Sequence, residues 1–420
     1  MRDTWIRRYR EAAKTVEKSF DALIGFNSNI DVVHQAGDID LELEGVEPEL
    51  VKKIGSEDDL KRCLKYCMVE EENHEVDLET SFSFSGEERI GGQAGIMSQF
   101  LSGTGNGTIF YTPLLSEELA AELNEKILYP VNDGGFMLKN VRDAANTDRT
   151  KRNHIFEFES GKSGRLIVSD TLKGFGPYFR KSVEENLDVI EDNVDCVLVS
   201  GFHDVKGNAD AKLKKSSEQL SKLDSPVHLE FVHRNNELSK KILGQIAPCV
   251  DSIGLDETEF KKVSELALDT RPEGKVNLGE AFEHSKNLLK RLNLQRVHLH
   301  TYRYHLTVTE DDYHAEPEKI RKSMLYGELA AIQSADTGEI PDSEQVRDFD
   351  MDDKKIHMMT ELEDFGRHLE IDDFAREGIA ELEEVKAVAV PTIIHNDPVR
   401  TVGMGDIISS GAFGSEFKDL

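Results

Sequence analysis

From Phe179 onward the chain alternates short apolar runs with longer amphipathic stretches. Cys196–Ser200, Val227–Phe231, Ser252–Gly254, Arg296–Leu299, His305–Thr309 and Ala387–Ala389 read as strands, with helices between most of them. Apolar runs of this length suit strands covered on both faces, so the alternation demands an α/β sheet sheathed by helices. The amino-terminal part starts the same way, with a helix over Thr4–Phe20 leading into the strand Ala22–Phe26. With 420 residues the chain exceeds what one core usually supports, so a large domain with a smaller companion is expected. The segment 127–170 changes character: Ile127–Val131, Gly135–Lys139, His154–Phe158 and Arg165–Ser169 are short strands joined by turns such as Asn132-Asp133-Gly134, which predicts a small β-rich lid. The boundaries that follow are 1–30, 91–126 and 171–420 for the large domain, and part of 31–90 with 127–170 for the lid.

Chemistry concentrates at strand ends, where open α/β sheets hold their ligands. Near the carboxyl terminus, Gly403-Met404-Gly405-Asp406 opens a helix. Glycines let the backbone approach an anion, and the free N–H groups of a helix start favour a phosphate. The Asp406 carboxylate in that turn suits proton removal from an attacking hydroxyl, which together suggests phosphoryl transfer to an alcohol. The alternative is an ordinary glycine-capped turn with a surface Asp. Asn27, Asn29 and Asp31 follow the first core strand, and Gly91-Gly92-Gln93 feeds a second helix start. Gly103 to Gly107 follows a helix and precedes a strand, the wrong order for a phosphate loop, and reads as a connection. His228-Leu229-Glu230 and Asp256-Glu257-Thr258-Glu259 end two other strands, so Glu230 and Glu259 face one crevice and suit a hydrated Mg²⁺.

Composition excludes several classes. No apolar run reaches the roughly 20 residues of a membrane span, and Met1 to Lys18 is charged, so a cytoplasmic protein with no membrane partner is expected. Against 81 acidic residues stand 51 basic ones, a net charge of −30 that disfavours nucleic acid. The same charge fits a salt-rich cytoplasm, where the Debye length falls to about 3 Å, or simply an acidic mesophilic enzyme. Four cysteines make no disulfide framework; Cys63 and Cys67 with His74 form a weak metal candidate, and His298, His300 and His305 a second.

Taken together, the Gly-x-Gly-Asp turn, His-x-Glu and the Asp256–Glu259 stretch resemble the ADP-dependent sugar kinases, the archaeal-type glucokinases and phosphofructokinases of the ribokinase-like superfamily. Gly91 to Gly95, Tyr111 to Pro113, Ile155 to Phe158, Ser163 to Arg165 and Ile253 to Glu259 agree in order along nearly the whole chain. The resemblance implies a three-layer α/β/α domain with a discontinuous lid that closes over the sugar. It also implies Asp406 as catalytic base, Gly403, Met404 and Gly405 as anion hole, and Glu230, Glu259 and Asp406 around Mg²⁺. Sugar contacts would fall on Asn29, Asp31, Gly92 and Gln93, and nucleotide contacts on His300, Thr301, Val390 and Thr392. Asp256 stands where the family more often has Asn. Glu75 matches the lid carboxylate of glucose-using members; Lys151 and Arg165 match lid cations that phosphofructokinases use for the 6-phosphate, and Thr171 departs from a third. The expected reaction is ADP plus a sugar (fructose 6-phosphate, glucose or both) to AMP, by a monomer or homodimer. An ATP-dependent ribokinase-like carbohydrate or nucleoside kinase and a non-catalytic sugar- or nucleotide-binding relative are the alternatives.

Overall fold

A computed structural model describes residues 1–14, 19–35, 41–79, 84, 86–160, 162–170, 174–351, 355–357, 359–395 and 398–418. Its main sheet has eleven strands among these residues. Across it stand Ile379–Glu381, Val385–Pro391, Tyr304–Glu310, Arg296–His300, Ser252–Asp256, Val227–Glu230, Cys196–Val199, Asp21–Gly25, Gly107–Tyr111, Leu128–Asn132 and Phe136–Asn140. The stretch from Arg296–His300 to Gly107–Tyr111 is wholly parallel, as the apolar runs require, and antiparallel pairs close both flanks. Helices pack in two groups. Arg2–Ala13, Gln93–Gly103, Pro317–Thr337 and Met404–Ser415 form one, while Ala209–Leu220, Asn236–Gln245, Glu257–Leu268 and Leu278–Leu292 form the other, giving three layers.

The second sheet has six strands: Lys53–Ile54, His74–Leu78, Lys162–Ser169, Arg152–Ser160, Asn29–Gln35 and Glu87–Gly91. The chain enters it twice, once after Asp21–Gly25 and again at Arg152, and so builds a lid from discontinuous segments. Helix Glu57–Glu70, started by the Ser56 hydroxyl accepting from Asp59 N–H, covers it with Leu60, Cys63, Leu64 and Cys67. These side chains join Val76, Phe156, Phe158, Leu166 and Val168 in an apolar core separate from the main one.

Two expectations are corrected. The strands placed in the lid at 127–139 belong to the main sheet: Leu128–Asn132 pairs in parallel with Gly107–Tyr111 and turns into Phe136–Asn140 at its edge. Their alternation is that of any half-exposed edge hairpin, which does not say which sheet it extends. The opening helix spans Arg2–Ala13; the rest of the stretch expected to be helical includes residues 15–18, outside the described set. Residues 81–83 and 85 lie outside it as well, and Glu87–Gly91 is the described strand that leads into Gly92.

Pro317–Thr337 crosses Met404–Ser415 at a glycine contact. A Cβ on Gly327 would lie 2.6 Å from the Ile408 carbonyl oxygen, and one on Gly411 would lie 3.0 Å from Gly327 Cα. Gly327→Ala is therefore expected to cost about 1–3 kcal/mol by overpacking against backbone that cannot turn aside. A thermal melt checks this; an unchanged midpoint would show that the helices can separate freely.

Candidate active site

The helix Met404–Ser415 starts at Gly403, whose φ of 84° lies in the left-handed region. A side chain there would also strike Ile96 Cδ1 at 2.9 Å. Gly405 sits against the His300 ring, where a Cβ would come 2.9 Å from Cε1. From Gly403 through Gly405 the backbone at the helix start is open to an anion, with Asp406 in the first turn. Burial, reinforced by the neighbouring Glu230 charge, pushes the Asp406 carboxyl well above the ordinary carboxylate range.

Glu230 ends the strand Val227–Glu230 and is buried. Burial alone would raise its carboxyl, but His228 Nε2 at 3.3 Å and His300 Nε2 at 3.4 Å hold it down at about 2. Glu259 stands one turn into its helix. Asp256 Oδ1 accepts from Glu259 N–H at 2.7 Å, and Glu259 Oε2 accepts from Asp256 N–H at 3.0 Å, a reciprocal capping box. Asp and Asn both cap in this way, so the departure from Asn keeps the helix start intact. Its added charge, after burial, pushes the Glu259 carboxyl well up.

Two adjoining cavities meet at this turn. The first, about 330 Å³, is lined by Gly403, Gly405, Asp406, Glu230 and Glu259 on the main-sheet side. Across it, from the lid and the crossover, come Asn29, Asp31, Gly92, Gln93, Lys151, Glu75 and Arg165, so every expected sugar contact faces one space. Asn29 Nδ2 donates to Asp31 Oδ1 at 2.6 Å. Gly91 makes that pairing possible, since a Cβ there would sit 2.4 Å from Asp31 Cγ and 2.5 Å from Asn29 Nδ2. Glu75 Oε1 accepts from Ser169 Oγ at 2.6 Å and from Arg234 Nη1 at 3.3 Å, while Lys151 Nζ pairs with Asp204 Oδ2 at 2.7 Å. The Arg165 guanidinium makes no hydrogen bond with another described side chain, and burial lowers its pKa while Glu157 and Asp31 oppose that shift. Thr171 lies outside the described residues.

The second cavity, about 540 Å³, lies behind the same turn, with Met404, His300, Thr301 and Thr392 in its wall. Arg165, Asp256, Gly403, Gly405 and His300 line both spaces. Val390 does not reach either: it is fully buried in its strand opposite His305, one residue before the strand ends at Pro391. The Thr301 hydroxyl donates to the Tyr304 carbonyl at 2.7 Å and so shapes the loop. Sequence reasoning missed Tyr302, Glu328, Ile332 and Ile393 in this wall. It also missed Asp204, at the end of the short 3-10 helix Phe202–Asp204, and Arg234, both far along the chain from the lid residues they pair with. Tyr302, 64% exposed and beside Thr301, was the most visible signal.

The two histidine and cysteine metal alternatives are not formed. His298 Nδ1 pairs with Thr307 Oγ1, His305 Nε2 with Glu328 Oε2 and His300 with Glu230. Cys63 and Cys67 are buried in the lid core. Among the described residues no three His, Cys, Asp or Glu stand close enough to enclose a metal ion. The carboxylates of Glu230, Asp256, Glu259 and Asp406 do share one wall, an all-oxygen donor set that suits a hard cation retaining water and phosphate ligands. No helix among the described residues is long and apolar enough to cross a membrane.

A family model for the ADP-specific Phosphofructokinase/Glucokinase conserved region matches residues 21–415. The ADP-specific phosphofructokinase of Pyrococcus furiosus is 30% identical over 380 aligned residues, covering 82% of this chain and 81% of that protein. The ADP-dependent glucose/glucosamine kinase of the same organism is 28% identical over 458 aligned residues, covering 99% of each. Among solved structures, an ADP-dependent kinase complex with fructose-6-phosphate and ADPβS superimposes with a TM-score of 0.81 at 26% identity over 98% of both chains. The last common ancestor of ADP-dependent phosphofructokinases from Methanosarcinales gives 0.80 at 27% identity, again over 98% of both.

Proposed function

Because this chain belongs to the ADP-specific phosphofructokinase/glucokinase family, we propose that it transfers the β-phosphate of ADP to a sugar hydroxyl with Asp406 as general base, releasing AMP. The activity class, an ADP-dependent sugar kinase with the ribokinase-like fold, follows from the family and its structural relatives. The observation that carries the assignment of residues is the shared wall: the Gly403–Asp406 turn stands between two cavities, one suited to each substrate. The sugar lies in the smaller cavity against Asn29 and Asp31, and the nucleotide in the larger one against Thr301, Tyr302 and Thr392. The phosphate to be transferred then sits at Gly403 and Gly405, over the positive end of the helix. Asp406 takes the proton of the attacking hydroxyl. Glu230, kept ionised by His228 and His300, stands beside it with Glu259 to hold Mg²⁺. When bound, that ion neutralises charge on the phosphates. Lid closure, with Arg165 reaching both cavities, excludes water so that sugar rather than water is phosphorylated.

The acceptor side carries groups for two kinds of sugar. The Arg165 guanidinium, without a side-chain hydrogen bond among the described residues, suits a phosphate dianion, and Glu75, fixed by Ser169 and Arg234, suits hydroxyl donors. Arg165→Ala is expected to lower kcat/KM for fructose 6-phosphate at least about 10-fold more than for glucose, the size of a lost charged hydrogen bond. Glu75→Ala is expected to show the opposite preference. Equal losses on both sugars would remove these residues from acceptor choice. AMP formation from Mg²⁺-ADP, with each sugar in parallel and ATP as the comparison donor, tests the whole assignment. Turnover with ATP alone would overturn it.

A further inference from the structure

Behind Glu230 a line of polar side chains leaves the cavity and runs through the middle of the parallel sheet. His228, Ser252 and Arg296 are all fully buried, and strand register sets them side by side, His228 opposite Ser252 and Ser252 opposite Arg296. Arg296 Nη1 donates to Ser252 Oγ at 3.0 Å. Ser252 Oγ is 2.8 Å from His228 Nδ1, and His228 Nε2 is 3.3 Å from Glu230 Oε2. At the far end, Arg296 Nε and Nη2 both donate to Glu416 Oε1, at 3.1 and 2.9 Å, and Tyr313 donates to Glu416 Oε2 at 2.7 Å.

The chemistry of the two ends fixes every proton between them. A guanidinium only donates, so Ser252 Oγ accepts from Arg296 and has its own hydrogen to give. The one acceptor within reach of that hydrogen among the described contacts is His228 Nδ1. A ring that accepts at Nδ1 carries its proton on Nε2, where it meets a carboxylate, which only accepts. Donation therefore runs one way, Arg296 to Ser252 to His228 to Glu230. On the other side His300 Nε2 faces Glu230 Oε1, so both carboxylate oxygens are engaged.

We propose that Ser252 and Arg296 are positioning residues for phosphoryl transfer: their one-way donation fixes the His228 tautomer and thereby orients Glu230 in the active site. They touch no substrate. Their effect passes through His228, as outer partners of a metal or phosphate site commonly act, and losing such a partner typically costs about 10–100-fold. The kinetic consequence rests on the function proposed above; the tautomer does not.

The test is a long-range ¹⁵N–¹H correlation spectrum of the imidazoles in the full-length protein without nucleotide or metal, with His228 assigned through His228→Gln. Wild type should show His228 with its proton on Nε2 alone. Ser252→Thr keeps the hydroxyl and should keep both that signature and the activity. Ser252→Ala should lose the single tautomer and about 10–100-fold in kcat/KM for ADP, with a thermal midpoint close to that of Ser252→Thr. A wild-type spectrum with the proton on Nδ1 would overturn the proposal without any variant. So would a Ser252→Ala protein that keeps the Nε2–H signature, or one that loses it at full activity. A wild type inactive with ADP but carrying the Nε2–H signature would instead count against the assigned reaction, leaving the hydrogen-bond line in place.

Discussion

Asp406→Asn is expected to fold as the wild type does and to lose about 10²–10⁴-fold in turnover, the usual contribution of a general base. The amide keeps the volume and the hydrogen-bonding reach of the side chain but cannot take a proton from the sugar hydroxyl. Stability should move the other way. The Asp406 carboxyl is pushed up first by burial and then by Glu230, so the folded state binds a proton more tightly than the unfolded one. A carboxyl raised on folding makes stability fall as pH rises through its folded pKa, and the uncharged Asn escapes that loss. A higher melting midpoint above that pH, with turnover nearly gone, separates a lost base from a damaged fold. The same shift predicts a pH profile: kcat/KM, which reports the free enzyme, should fall on acidification from a point above the ordinary carboxylate range. An acid limb at ordinary carboxylate pH, or Asn retaining turnover, would move the base elsewhere.

Gly254→Ala should cost nearly as much without touching substrate. A Cβ at this position would lie 2.2 Å from Glu230 Oε2, 2.6 Å from Ser409 Oγ and 2.9 Å from His228 Nε2. The added methyl must displace Glu230 by about an ångström, and misplacement of that order costs about 10²-fold in rate. Overpacking in the core adds a stability loss of about 1–3 kcal/mol. Gly244→Ala is the matched control, since its Cβ would meet nothing within 4 Å in the helix Asn236–Gln245. It should keep full activity and melt no lower. Full activity in Gly254→Ala would mean that Glu230 has room to move, and so does not depend on its present placement.

Where the sequence spoke through periodicity, it spoke plainly. The apolar runs from Cys196 to Ala389 became main-sheet strands, and Gly403 to Asp406 became the turn at the junction of the two cavities. The lid strands Asn29–Gln35 and His74–Leu78 were harder to read because they carry cavity-facing and ion-paired residues, Asp31, Glu75 and Asp77, where a plain strand would show apolar alternation. Asp77 pairs with Lys206 and Arg234, contacts that exist only once the two sheets face each other. The Leu128–Asn140 hairpin failed for a related reason: a strand's pattern reports its burial, not its partner. Val390 came in with the strand end that the resemblance places near the nucleotide, yet its side chain is fully buried in the core and lines neither cavity.

The lid's private core has a consequence for how such a protein changes over time. Cys63, Leu64, Phe158 and Leu166 pack among themselves and share no cluster with the side chains beneath Asp406. Among the described lid strand residues, Ile30, Val32 and Ile90, next to the crossover, belong to the larger cluster. Substitutions that reshape the lid can therefore accumulate in one compartment while the compartment around the Gly403–Asp406 turn keeps its packing unchanged. The two halves of the enzyme are in this sense separately heritable, and an exchange of whole lids between relatives would be drawn along a seam that the molecule already contains.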